Sequence, residues 1–222
     1  MAALLSVLAL LVLPALYLRE SGRVRRQRGQ WFADCLLLFD SYCVEQHGSG
    51  YPVLTGRYRG IEIRLEPVLD DMAWRKLPSL WLKATVLSSN PRRGSLGFLV
   101  RPRGGEFYSP TAEMRERLPL PASFPPDVLL CSDKASTAPV AALAEQLQAF
   151  EDPRMKELVI TPHGVRLVYQ AAQAQRAEYL VLRQARFTES RVGLVLVTSL
   201  LECALVIAAA VDRRAAVQAV AA

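Results

Sequence analysis

The sequence predicts an α+β fold: an N-terminal transmembrane helix, then a mostly antiparallel sheet domain with packing helices. Three observations predict it. Residues 1–18 form an apolar run with no charged side chain, closed by arginines. Between residues 51 and 170 most short apolar runs alternate with polar residues and are separated by turns containing Gly or Pro. Residues 30–46, 139–150 and 192–211 instead carry apolar side chains at intervals of three and four, or almost throughout.

The run MAALLSVLALLVLPALYL, residues 1–18, is at the short end of what crosses a ~30 Å hydrocarbon layer as a helix. A helix satisfies its backbone polar groups internally, and membrane helices tolerate a proline such as Pro14. Three readings compete. A cleaved secretory signal has positive charge ahead of the run and small residues after it; here no Lys or Arg precedes, and Tyr17, Leu18 and Arg19 follow. A soluble helix apolar on every side needs partners all round. The retained anchor is preferred. Arg19, Arg23, Arg25, Arg26 and Arg28 make residues 19–28 a basic juxtamembrane segment facing anionic lipid headgroups. All lie after the run, so the N-terminus is expected outside and the rest in the cytoplasm, as a single-pass protein of a bacterial inner membrane. Heavy Arg and Ala use points to a GC-rich bacterial genome.

The chain has 222 residues, of which 51% are hydrophobic, so a real core is expected. Its formal charge is +6. Five Arg and one Glu between residues 19 and 28 supply +4, which leaves +2 elsewhere and argues against a nucleic-acid partner. Cys35, Cys43, Cys131 and Cys203 show no C-x-x-C spacing and sit among apolar neighbours, as free thiols of a reducing compartment do.

Residues 29–50 are expected to form an amphipathic helix, since Phe32, Cys35, Leu36, Phe39, Tyr42 and Cys43 recur at three and four. Gly48 is its expected C-terminal cap. The domain follows over residues 51–212. Strands are expected at 51–57 and 61–66, joined through Tyr58-Arg59-Gly60, then at 80–87, 96–100, 106–108 and 128–131. Residues 118–126, LPLPASFPP, read as an extended surface loop because proline lacks the amide donor. A helix is expected at 139–150 and a hairpin at 158–170 across Pro162-His163-Gly164. The run 192–211 is long enough to span a bilayer, but Glu202 lies at its centre and arginines flank both ends. A core helix with Glu202 at its exposed edge is favoured over a second span. Residues 213–222 are expected to be a disordered tail.

The segments Gly56-Arg57-Tyr58-Arg59-Gly60-Ile61-Glu62-Ile63, Phe150-Glu151-Asp152-Pro153 and Arg176-Ala177-Glu178-Tyr179-Leu180 resemble an uncharacterised bacterial domain family of membrane-tethered proteins. The resemblance implies an α+β domain and a last helix that packs. It implies no activity and no catalytic residue.

No Walker A loop, G-x-G-x-x-G or H-E-x-x-H occurs, and no cofactor or metal is expected. Two histidines, His47 and His163, sit in turns. Cys131 follows a strand and precedes Ser132-Asp133-Lys134, which places a thiol near an ammonium. Trp74, Arg75 and Trp81 form a candidate interaction patch, Trp and Arg being favoured at binding hot spots. Arg92, Arg93, Arg101 and Arg103 flank one expected hairpin and are candidates for headgroup contacts. The expectation is a non-enzymatic accessory protein that docks its domain on an unidentified protein partner. The alternatives are a tethered hydrolase-like enzyme using Cys131 or His163, and a domain that binds anionic lipid.

Overall fold

Antiparallel pairing governs the fold. The computed structural model describes residues 2–71, 77–88, 94–135, 140–144, 146–182 and 185–220. Among them nine strands form one sheet: β1 (Ser41–Glu45), β2 (Val53–Tyr58), β3 (Ile61–Asp70), β4 (Ser79–Leu87), β5 (Leu96–Val100), β6 (Glu116–Arg117), β7 (Val128–Ser132), β8 (Met155–Thr161) and β9 (Gly164–Gln173). Their order is β1-β2-β3-β4-β9-β8-β5-β7-β6, and every neighbouring pair is antiparallel. The late hairpin β8–β9 is thus inserted between β4 and β5. The helices are α1 (Ala2–Gly29), the short α2 (Val140–Ala144) and α3 (Arg176–Leu182), and α4 (Leu194–Val220). The α+β expectation with a large antiparallel sheet holds.

Period-two alternation gives the sheet two unlike faces. Leu80, Leu82, Ala84 and Val86 of β4 join Ile63 and Leu65 of β3, and Val165 and Leu167 of β9, in the core. Helix α4 packs on that face through Val197, Leu200, Leu201, Ala204 and Ile207, all buried. Glu202 sits at the edge, as expected: its Oε1 accepts the Tyr58 hydroxyl at 2.5 Å and its Oε2 accepts Arg59 Nη1 at 2.9 Å. The opposite face carries Arg64, Glu66, Lys83, Thr85 and Arg166. On that face the segment 101–117 sets Tyr108 against Trp81, and Ser109 and Thr111 against Glu157.

The β2–β3 connection is a two-residue turn in which Arg59 and Gly60 both take positive φ, 50° and 77°. That backbone twist matches the twist of the flanking strands.

Four expectations need correction. Residues 29–50 are not one helix: Ala33–Leu38 is a 3₁₀ turn, and Ser41–Glu45 is β1 paired with β2. The residues at three-and-four spacing do supply core side chains, Phe32, Cys35 and Phe39, but Tyr42, Cys43 and Val44 of the edge strand stay exposed. Residues 106–108 form turns, because Glu106 is tied to the backbone amides of Arg103 and Gly105. Among the described residues of 139–150, α2 gives way to a 3₁₀ turn at Leu147–Phe150. The tail is not disordered throughout, since the α4 backbone stays helical to Val220. The proline-rich segment is irregular as expected, yet Phe124 is buried edge-on against Phe98, their ring centroids 5.5 Å apart, which ties it to the core.

Candidate functional site

Two β-bulges on adjacent strands build the candidate site. On β8, Met155 pairs with Tyr169 and Glu157 with Val168, so Lys156 is an extra residue. On β9, Trp81 of β4 pairs with Gln170 and Leu80 with Ala172, so Ala171 is extra. Bulges re-aim side chains and concentrate near functional sites. Here Met155 and Leu158 both reach the core although they are three apart. Lys156 and Glu157 are left beside the segment 101–117 on the opposite face.

Beside the bulges lies a cleft of about 180 Å³, lined by Asp70, Ser79, Trp81, Arg101, Arg103, Glu106, Tyr108, Lys156, Gln170 and Gln173 among others. Its floor is tightly bonded. Lys156 Nζ meets Glu106 Oε1 at 2.9 Å, with both side chains nearly buried, and donates to the Arg101 carbonyl at 2.6 Å. Burial disfavours the Glu106 carboxylate, but Lys156 and the backbone amides of Arg103 and Gly105 together hold it below the usual carboxylate range. Arg101 takes φ +52° and turns its guanidinium inward, with Nη2 donating to the carbonyls of Pro153 at 2.9 Å and Met155 at 2.7 Å. Trp81 Nε1 donates to Asp70 Oδ2 at 3.4 Å, and its ring lies 5.1 Å from that of Tyr108. Gln170 Nε2 donates to Ser79 Oγ at 2.8 Å. Burial pushes the Tyr108 hydroxyl well above its usual range, so it stays a neutral phenol.

Three residues singled out from the sequence, Trp81, Arg101 and Arg103, therefore meet at one cleft. Trp74, Arg75, Arg92 and Arg93 lie outside the described residues. Sequence reasoning missed Lys156, Glu106 and Tyr108. A lysine and a glutamate adjacent on one strand should point to opposite faces, and only the bulge makes both buried. No alternation pattern reveals a bulge in advance.

Glu157 lies behind the cleft, fully buried. Its Oε1 accepts hydrogen bonds from the hydroxyls of Ser109 and Thr111, the latter at 2.5 Å, while its Oε2 has no partner among the described residues. Burial raises its pKa above the usual range and outweighs the two hydroxyls and the Arg166 charge. The folded state then favours the neutral acid. The stability this confers is complete below the usual carboxylate range and is lost as pH rises through the folded-state pKa. The Gln side chain does not titrate. On raising the pH from about 5 to about 8, Glu157→Gln should therefore gain urea stability relative to the parent, and a constant difference between the two would show that Glu157 is already ionised.

The second assembly is the foot of α1. Gln46 Nε2 donates to the Arg25 carbonyl at 2.9 Å, and Arg28 Nη1 to the Ser49 carbonyl at 3.0 Å. The Arg28 guanidinium lies 5.0 Å over the Tyr51 ring, and Trp31 meets Tyr51 edge-on at 5.3 Å. The start of α4 joins there: Val192 N donates to the Trp31 carbonyl at 2.9 Å, and Arg191 pairs with Asp34 at 2.7 Å. Above this foot Leu10, Val12, Leu13, Leu16, Tyr17 and Leu18 are exposed. Among the flank arginines, Arg19, Arg23, Arg25 and Arg26 are exposed and Arg28 is half-buried.

The remaining candidates are scattered. His47 and His163 are exposed in turns. Cys131 is buried on β7, and burial raises its thiol pKa despite the nearby Arg117. No group of three or more potential metal-ligating side chains occurs among the described residues. The helical stretch Leu194–Asp212 is long and apolar enough to cross a membrane by length and composition, but its buried stripe lies on the sheet.

No family model, curated protein or solved structure matches the chain. The resemblance carried by residues 56–63, 150–153 and 176–180 therefore contributes no residue role to either site.

Proposed function

We propose that this chain is a membrane-tethered, non-enzymatic accessory protein, anchored by α1, that docks its sheet domain on a membrane-bound partner complex. One observation carries the reading: Leu10, Val12, Leu13, Leu16, Tyr17 and Leu18 of α1 stand exposed while its basic foot is bonded to the domain at Gln46, Ser49 and Tyr51. All six of these exposed apolar side chains lie in the last two and a half turns before the arginines. An exposed apolar surface of this kind marks a membrane or protein contact, and the arginines that follow it match a lipid flank. The bonds at the foot fix the domain to the anchor instead of leaving it on a loose linker. Leu37, Leu194 and Val195 are also exposed, on the segments that meet at the Trp31–Val192 bond. The enzyme alternative is less well supported, because burial keeps the Cys131 thiol protonated and His163 stands exposed on a hairpin tip.

Membrane fractionation tests this. The full chain should stay with carbonate-washed bacterial membranes, and deletion of residues 2–18 should release more than nine-tenths of it in folded form; a full chain recovered in the soluble fraction overturns the anchor. Protease added to spheroplasts should leave the domain intact, and digestion from outside would reverse the orientation.

A further inference from the structure

We propose that the cleft between Trp81, Arg101 and Arg103 binds a singly charged phosphodiester bearing hydroxyl groups, the chemistry of a glycerol-type phospholipid headgroup. Four observations lead there, and only the source of the ligand rests on the membrane reading above.

The first is size. A cavity of ~150 Å³ takes benzene, so a cleft of about 180 Å³ accommodates a phosphodiester with a short alcohol.

The second is charge. Arg101, Arg103 and Lys156 face Asp70 and Glu106 around the cleft, a balance of one positive charge. Lys156 and Glu106 neutralise each other. Arg101 is oriented by the carbonyls of Pro153 and Met155, which take only one of its guanidinium nitrogens. The Arg103 side chain has no hydrogen-bond partner among the described residues. Two arginines lining one cleft suit a phosphate oxygen pair. The nearby carboxylates of Asp70 and Glu106 penalise a dianion such as a phosphomonoester.

The third is the complement of neutral groups. Asp70 accepts hydrogen bonds, and Gln170, Gln173 and Ser79 both accept and donate them. These suit the hydroxyls of a polyol, which a choline headgroup lacks. Trp81 and Tyr108 add an apolar wall, and such amphipathic rings are enriched at the lipid interface.

The fourth is position. The cleft lies where β3 ends at Asp70, β4 begins at Ser79 and β9 ends at Gln173. In this antiparallel sheet that is also the end at which β1 finishes and β2 begins, where Gln46 and Tyr51 hold the foot of α1. Anchor and cleft share one end of the sheet.

The test uses the full chain in an uncharged maltoside detergent, titrated by calorimetry with three probes: short-chain phosphatidylglycerol, short-chain phosphatidylcholine and soluble glycerophosphoglycerol. Phosphatidylglycerol should bind and phosphatidylcholine should bind at least tenfold more weakly. Arg103→Gln should weaken phosphatidylglycerol about tenfold, the loss of one charge-assisted bond. Arg103 is exposed, so the variant should keep the parent's thermal midpoint. Comparing the two chains also subtracts whatever the arginines at 19–28 attract. Equal affinity of parent and Arg103→Gln for phosphatidylglycerol, or equal binding of phosphatidylcholine, overturns the proposal. Soluble diester binding as tightly as the lipid overturns the bilayer as the source. Membrane fractionation of Arg103→Gln should match the parent, so failure of the cleft is distinguished from failure of the anchor.

Discussion

Leu201→Asp should abolish the folded sheet domain, while Val206→Asp should leave it intact. Leu201 is fully buried on the face of α4 that packs over β4 and β9. Truncation there to Ala alone costs ~2–5 kcal/mol. An aspartate adds the cost of an unpaired carboxylate in an apolar site, several kcal/mol more or a large pKa rise. Domains of this size are stable by only ~5–15 kcal/mol. Val206 lies five residues on, roughly 140° around the helix, and is 49% exposed. Its replacement should cost no more than ~0.5 kcal/mol, as at other surface positions. Urea unfolding followed by far-ultraviolet circular dichroism separates the two. A membrane-spanning α4 would penalise both substitutions by ~2.5–3.5 kcal/mol in insertion, so comparable damage from Val206→Asp would remove α4 from the core.

Where a periodic pattern has one physical cause, the sequence was readable. β3, β4 and β9 alternate because one face is buried, and α4 is apolar at 197, 200, 201, 204 and 207 because that stripe lies on the sheet. The misread segment is instructive. Phe32, Cys35 and Phe39 satisfy helical spacing, but a 3₁₀ turn followed by an extended strand also buries all three. Tertiary pairing of Ser41–Glu45 with β2 then decides the conformation. Local periodicity cannot weigh that pairing.

The cleft was legible only in part. Trp81, Arg101 and Arg103 are residue types whose chemistry stands out in the sequence. That they share one cleft depends on the insertion of β8–β9 between β4 and β5, a contact between residues some ninety positions apart, such as Gln170 and Ser79. Lys156 and Glu106 look like two solvated charges in the sequence. Their burial as a pair follows from the β8 bulge and from the backbone amides that converge on Glu106.

Gly97→Ala should cost about 4 kcal/mol, although a glycine at mid-strand usually gains from a side chain. A Cβ at Gly97 would sit 2.3 Å from Thr111 Oγ1 and 2.7 Å from its Cγ2. Thr111 is fully buried, and its hydroxyl is one of the two that donate to Glu157. Moving Thr111 aside therefore combines overpacking, ~1–3 kcal/mol, with a lost bond to a buried carboxyl, ~1–3 kcal/mol. The comparison is Gly60→Ala, where the added Cβ meets nothing within 4 Å and the cost is only that of φ +77°, ~1–2 kcal/mol. Thermal unfolding of the two variants should place Gly97→Ala well below Gly60→Ala. The damage should also reach the cleft, because the segment that carries Thr111 carries Arg103, Glu106 and Tyr108 as well. Gly97→Ala should thus weaken the ligand response of the cleft while leaving the foot of α1 and its membrane retention unchanged. A Gly97→Ala chain as stable as the parent would mean that Thr111 does not hold the 101–117 segment against β5.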